Sequence, residues 1–194
     1  CSGSAYAQDT SMSFFVTSIN PGKGGDLGGL QGADAYCDTL AKAAGSTGKS
    51  WKAYLSTDAE NAKDRIGTGP WYNAKGEKIA DDVASLHSDS NNLTKQTALN
   101  EKGEVINGRG DTPNRHDILT GSKADGTAAT ETCGNWTMGG ADGSAIVGHS
   151  DRTGLNDSAE AKSWNSSHTT RGGCTVEAFK GTGGEGLFYC FAVK

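Results

Sequence analysis

The chain has 194 residues and a net charge of −5, with 18 Lys and Arg against 23 Asp and Glu. That balance, without a basic run or a basic amphipathic stretch, excludes nucleic acid, heparin-like polyanions and acidic membrane surfaces as natural partners, and no apolar run approaches the length of a membrane span. Only 34% of residues are hydrophobic and 7% aromatic, against 29 glycines, so the composition predicts one domain of short strands, a few short helices and much ordered loop.

In chain order, residues 1–12 are polar and read as a flexible tether or signal remnant ahead of a domain covering 13–194. Cys1-Ser2-Gly3-Ser4 has the form of a mature bacterial lipoprotein start, with Cys1 acylated; Ala5-Tyr6-Ala7 before Gln8 has the A-x-A form of a signal cleavage site; a cloning remnant is the third reading. The first two export the chain, as a secreted, periplasmic or lipid-anchored protein. Ser13 to Ser18 predicts a strand. The glycine-rich run Pro21 to Gly29 lacks the lysine and hydroxyl spacing of a phosphate cradle and reads as a turn into a helix. That helix covers about Gly32 to Ala44: Ala33, Tyr36, Cys37, Leu40 and Ala44 fall on one face, and Gly45 caps its end. Cys37 therefore belongs to the buried face. Trp51 to Leu55 reads as a strand, Thr57-Asp58-Ala59-Glu60 as a capping box opening a helix to about Arg65, and Ile79 to Leu86 as one or two helical turns. Residues 88–117 are polar with few apolar anchors. Their Arg109-Gly110-Asp111 is an integrin-type tripeptide, with nothing else in the chain pointing to such a partner. Ile118 to Gly121 predicts a short strand entering a turn at Asp125-Gly126, and Gly186 to Val193 is the strongest strand in the chain.

Four internal cysteines, Cys37, Cys133, Cys174 and Cys190, allow three pairings. Cystines place a chain outside the reducing cytosol. A strand followed by Gly28 to Cys37 (Gly-Gly-Leu-Gln-Gly-Ala-Asp-Ala-Tyr-Cys) on a helix, then Lys52 to Ser56, Leu119 to Ser122, Cys133-Gly134-Asn135-Trp136 and finally Leu187-Phe188-Tyr189-Cys190, resembles the endostatin domain of certain collagens and bacterial secreted lectin-like proteins. Both belong to the C-type-lectin-like fold. The resemblance runs from about Phe14 to the end and is weakest in 88–117 and 138–170. It implies an α+β domain with a short twisted antiparallel sheet, long loops and two nested disulfides, Cys37–Cys190 around Cys133–Cys174.

Fold kinship does not carry function with it. The calcium-dependent sugar-binding members use carboxylate-bearing triplets; the nearest strings here, Thr112-Pro113-Asn114 and Trp164-Asn165-Ser166, lack the carboxylate. The endostatin zinc site uses an N-terminal histidine cluster, and this chain has no histidine before His87. None of the four histidines forms an H-x-x-x-H or H-E-x-x-H pair, although His116-Asp117 and His149-Ser150-Asp151 can offer ligands once folded. No nucleophile elbow is present, and the internal cysteines are assigned to disulfides. No enzyme, catalytic residue, cofactor or metal site is therefore expected.

The segment from His149 to Cys174 combines an aromatic ring with amides, hydroxyls, acids and bases, the mixture that binds sugars. The candidate ligand-binding residues are His149, Asp151, Arg152, Trp164, Asn165, His168 and Arg171. Trp164 has two readings, a stacking platform for a sugar or a plug for the core beneath the loop, and the polar side chains can equally satisfy their own backbone. Asn92, Asn135, Asn156 and Asn165 each fit the N-x-S/T pattern, which bears glycans in a eukaryotic chain. The function expected is an exported module binding a glycan or extracellular polymer through the polar loops of 133–174. The alternative is a structural or protein-interaction module of the cell envelope with no small ligand.

Overall fold

The computed structural model describes residues 9–193. The reading of Cys1 as a lipid-bearing residue lies outside the described residues.

The architecture is α+β, built around the C-terminal strand. Eight strands are described: β1 (Phe14–Val16), β2 (Ser50–Ala53), β3 (Trp71–Tyr72), β4 (Lys78–Ala80), β5 (Asp117–Leu119), β6 (Ile146–His149), β7 (His168–Thr169) and β8 (Gly184–Val193). The long helix α1 spans Gly29–Ala43. The main sheet has the order β1-β8-β5-β6-β7, with β2 also on β8, while β3 and β4 form a separate pair. The C-terminal half of β8 is held antiparallel by β1 (Phe14 opposite Phe191) and β2 (Ala53 opposite Cys190), and its N-terminal half by β5 (Ile118 opposite Leu187).

The β5–β8 pair is parallel. The sheet is therefore mixed, which corrects the expectation of a purely antiparallel one. The chain between β5 and β8 is long enough for the crossover that parallel strands require, and it uses that length to add β6 and β7 antiparallel beyond β5.

Because β8 is covered on both faces, it reads as an unbroken apolar run. Alternate side chains go to two cores. Phe188, Cys190 and Ala192 join Phe15, Cys37, Trp51, Leu119, Val147 and Trp136 beneath α1. Leu187, Tyr189 and Phe191 join Phe14, Val16, Tyr54, Trp71, Ile79, Ile118 and Trp164 on the other side. The helix was legible from its apolar spacing, and its buried residues are Ala33, Cys37 and Ala41.

Both disulfides take the nested pairing. Cys37 on α1 bonds Cys190 on β8, 153 residues apart, and Cys133 bonds Cys174, 41 apart. Limiting the unfolded chain in this way stabilises the fold by about 5 and 4 kcal/mol respectively in the chain-entropy account. Two disulfides also indicate an oxidising, extracytoplasmic environment. Among the described residues, no helix is long and apolar enough to cross a membrane.

Two local expectations change. The capping box at Thr57 opens no long helix: Thr57 Oγ1 accepts from Ala59 and Glu60 N–H, but only a 3-10 turn at Ala62–Asp64 follows. Arg65 is drawn inward, with its guanidinium on both oxygens of Asp34 (3.2 and 2.8 Å) and on the Ala53 carbonyl at 2.6 Å. That pull ties the segment to α1 and β2 and overrides local helical preference. Likewise the stretch Ile79 to Leu86 divides into β4 and a short helix, Val83–Leu86, because Asp82 and Ser85 form a reciprocal cap that starts the helix there.

Candidate functional site

The register of the sheet places three of the four histidines around one aspartate. Asp117 opens β5 and His149 closes β6, and the two are directly opposite one another. By alternation both share a face with Leu119 and Val147. His168 of β7 lies opposite Val147 and so joins the same face. His116 precedes the strand, where the β5–β8 pairing shifts register between Asp117 and Ile118. Such an irregularity re-aims a side chain, and the His116 ring stacks on His149, centroids 4.0 Å apart and planes within 10°.

The result is a convergent cluster. The Nε2 atoms of His116 and His149 lie 3.3 and 3.2 Å from Asp117 Oδ1, and His168 Nε2 lies 3.3 Å from Oδ2. The other ring nitrogens are engaged. His116 Nδ1 is 2.8 Å from Asp151 Oδ1, His149 Nδ1 is 2.7 Å from the Ala161 carbonyl, and His168 Nδ1 is 3.2 Å from the Thr169 carbonyl. Asp151 is itself fixed by N–H groups of Arg109 (2.7 Å) and Thr153 (3.1 Å). His116, Asp117 and His149 are all buried, and one ligand-type atom from each lies within 4.8 Å of the others. Asp117 is only 2% exposed. Its two carboxylate oxygens and His149 Nε2 have no hydrogen-bond partner among the described residues, the short approaches lacking hydrogen-bond angles.

Electrostatics keep the carboxylate ionised. Burial pushes the Asp117 carboxyl up, but His149, His168 and His116 beside it together outweigh that and leave it below the usual range. The same contact with Asp117 raises the His168 imidazole, against the opposing effect of burial. Asp151 is likewise held low: burial raises it, and His116 with the Arg109 amide more than compensates.

The three histidines line an open cavity of about 390 Å³, together with Arg109, Asn114, Leu155, Asn156, Glu160 and Arg171. Leu155 is 85% exposed at its rim. Two larger depressions, of about 720 and 480 Å³, lie elsewhere and are lined by no histidine.

Of the residues singled out in the sequence, His149, Asp151 and His168 belong to this cluster and Arg171 lines the cavity. The other three do not join it. Trp164 is 4% exposed, its ring lying among Tyr54, His87 and Tyr189. It fills the core, and the stacking-platform reading is corrected accordingly. Asn165 is buried and donates to the Tyr54 hydroxyl (3.0 Å) and to the carbonyls of Lys123 and Ala124 (both 3.2 Å). Arg152, at φ 53°, donates to the Lys162 carbonyl (3.3 Å) and Asn91 Oδ1 (3.1 Å), tying two loops together.

The expectation of no metal site rested on the missing calcium-binding triplets, the missing N-terminal histidine cluster and the absence of helical zinc spacing. These ligand-type atoms instead come from adjacent strands and a register shift, where sequence spacing carries no signal. The available hint was the acid beside each of two histidines, His116-Asp117 and His149-Ser150-Asp151. Nothing marked Arg109, Asn114 or Leu155 as their neighbours. No family model matches the chain, and no curated protein sequence matches it.

Proposed function

We propose that the chain is an exported, C-type-lectin-like binding module that recognises a glycan or another hydroxyl-rich extracellular polymer in the cavity above the histidine cluster. The reading includes a location at the cell envelope or beyond it, secreted, periplasmic or lipid-anchored. One observation carries it: the cavity of about 390 Å³ combines two arginines, Arg109 and Arg171, with the amides of Asn114 and Asn156 and the exposed Leu155. Polar groups of this kind bond ligand hydroxyls and carboxylates, while an apolar rim covers C–H faces. The Cys133–Cys174 bridge closes the loop that carries Leu155, Asn156 and Arg171, which reduces the ordering cost of binding. The lectin-like assignment rests on the sequence resemblance together with the α+β architecture, few helices and nested disulfides.

The test is retention on an array of bacterial and extracellular-matrix glycans. Wild-type protein is expected to be retained on a subset. Arg109→Ala and Arg171→Ala, both at exposed positions, are expected to weaken retention without changing the circular dichroism spectrum. Silence on every glycan, or retention indifferent to both substitutions, overturns the reading.

A further inference from the structure

We infer that His116 Nε2, His149 Nε2 and Asp117 Oδ1 form a binding site for one divalent transition-metal ion, zinc by its chemistry, where the two histidines border the cavity. Four independent features of the cluster point there.

The first is spacing. Tetrahedral zinc, with bonds of about 2.0–2.2 Å to nitrogen and oxygen, holds neighbouring ligand atoms about 3.4 Å apart. The two histidine nitrogens lie 3.3 and 3.2 Å from Asp117 Oδ1. The second is tautomer. Asp151 and the Ala161 carbonyl each accept from an Nδ1–H, at 2.8 and 2.7 Å, which leaves Nε2 of each ring facing the Asp117 carboxylate; sharing one ion requires the two stacked rings, within 10° of parallel, to turn toward each other. Outer partners of this type orient metal-bound histidines and raise their basicity. The third is the unsatisfied group. Both Asp117 oxygens and His149 Nε2 are buried without a hydrogen-bond partner among the described residues, an arrangement that is unfavourable unless a cation completes it. The fourth is fixed support. Behind Asp117, a Cβ added at Gly184 would lie 2.9 Å from the Asp117 Cβ, and one at Gly108 would lie 2.5 Å from Asp151 Oδ2. The backbone therefore closes tightly on both carboxylates.

The donor set selects the ion. Calcium takes six to eight oxygen ligands, and this cluster offers two imidazoles and one carboxylate. Imidazole with carboxylate suits zinc. His168 Nε2 lies 3.3 Å from the second oxygen, Oδ2, outside the proposed ligand set. The fourth coordination position opens into the cavity, because His116 and His149 themselves line it. The site goes beyond the glycan reading and does not depend on it.

The experiment uses the disulfide-intact protein without a histidine tag, stripped with a chelator and titrated with zinc chloride by calorimetry, no glycan being present. The expected result is one equivalent of zinc bound, with no heat from calcium chloride. Asp117→Asn and His149→Gln are expected to lose measurable binding, and Asp151→Ala to weaken it about 10- to 100-fold. Because a cluster variant can fail to fold, the wild-type protein supplies the second readout: cobalt is expected to give the intense visible absorption of a tetrahedral site, displaced by zinc. Wild-type protein that binds no zinc, binds it with unchanged affinity in folded Asp117→Asn, or responds to calcium instead overturns the inference. Glycan retention is scored separately, so either proposal can fail alone.

Discussion

His149 ends β6 directly opposite Asp117, with its Nε2 3.2 Å from the Asp117 carboxylate and its Nδ1 2.7 Å from the Ala161 carbonyl. The ring is thus held through Nδ1 by the loop that walls the cavity, and its Nε2 faces the strand partner. The neighbouring residue makes that loop position attainable: a Cβ at Gly148 would lie 1.8 Å from the Trp164 carbonyl oxygen. Gly148→Ala is expected to displace the 161–168 segment and lower the melting temperature. Unchanged stability and unchanged histidine NMR shifts would refute this role.

Trp164 contributes to stability, since its ring is packed within the second core. Trp164→Ala is expected to cost about 3–5 kcal/mol by the large-to-small rule, measured by urea denaturation. A folded Trp164→Ala protein of near wild-type stability would contradict this placement.

Arg65 should behave as a buried fork. Its side chain is 7% exposed and holds Asp34 through two nitrogens. Arg65→Met leaves Asp34 with Lys52 at 3.0 Å, so the loss should fall at the low end for a broken buried pair, about 3 kcal/mol. Arg65→Lys should recover only part of it, because an ammonium cannot span both oxygens. Equal stability of the two variants would show that the fork geometry contributes nothing.

The sequence revealed those parts of the fold where one residue pattern answers one environment. Gly186 to Val193 reads as a strand because alternate side chains enter two cores, and α1 reads as a helix because Ala33, Tyr36, Cys37 and Leu40 repeat on one face, although Ala44, placed on that face by the spacing, is exposed at the helix end. The helix expected after Thr57 gives way to a 3-10 turn because of a long-range ion pair, Arg65 with Asp34, that no local pattern encodes. The site was legible only in pieces. His149, Asp151, His168 and Arg171 stood out for their chemistry, whereas the partnership of Asp117 with three histidines depends on strand register and a local irregularity. Trp164 and Asn165 carried the same polar-aromatic signature and are structural, because composition does not distinguish a loop's outer surface from the side packed on the core.

Acid should weaken the fold through His87. Burial lowers its pKa, opposed by the Val83 carbonyl, with Lys63 lowering and Asp125 raising it further. Its Nε2 is 2.7 Å from the Tyr54 hydroxyl. A histidine with a depressed folded pKa binds its proton more readily when unfolded. Its contribution is therefore complete above the unfolded value near 6.5 and is lost as pH falls through the folded pKa. Wild-type protein should lose melting temperature relative to His87→Gln as pH falls from about 7 to 5. A constant difference across that range would count against it.

The two crosslinks should differ in weight. Serine replacement of Cys37 and Cys190 together is expected to cost more than that of Cys133 and Cys174, about 5 against 4 kcal/mol in the chain-entropy account, since they close 153 and 41 residues respectively. Denaturant midpoints of the two double variants decide it, and the reverse order would contradict the account.

The most direct test of the histidine cluster as the working centre is anomalous X-ray scattering at the zinc edge from crystals of zinc-loaded protein. The account predicts one strong peak about 2 Å from His116 Nε2, His149 Nε2 and Asp117 Oδ1. An empty cluster in zinc-soaked crystals, or a peak held by other side chains, would contradict it.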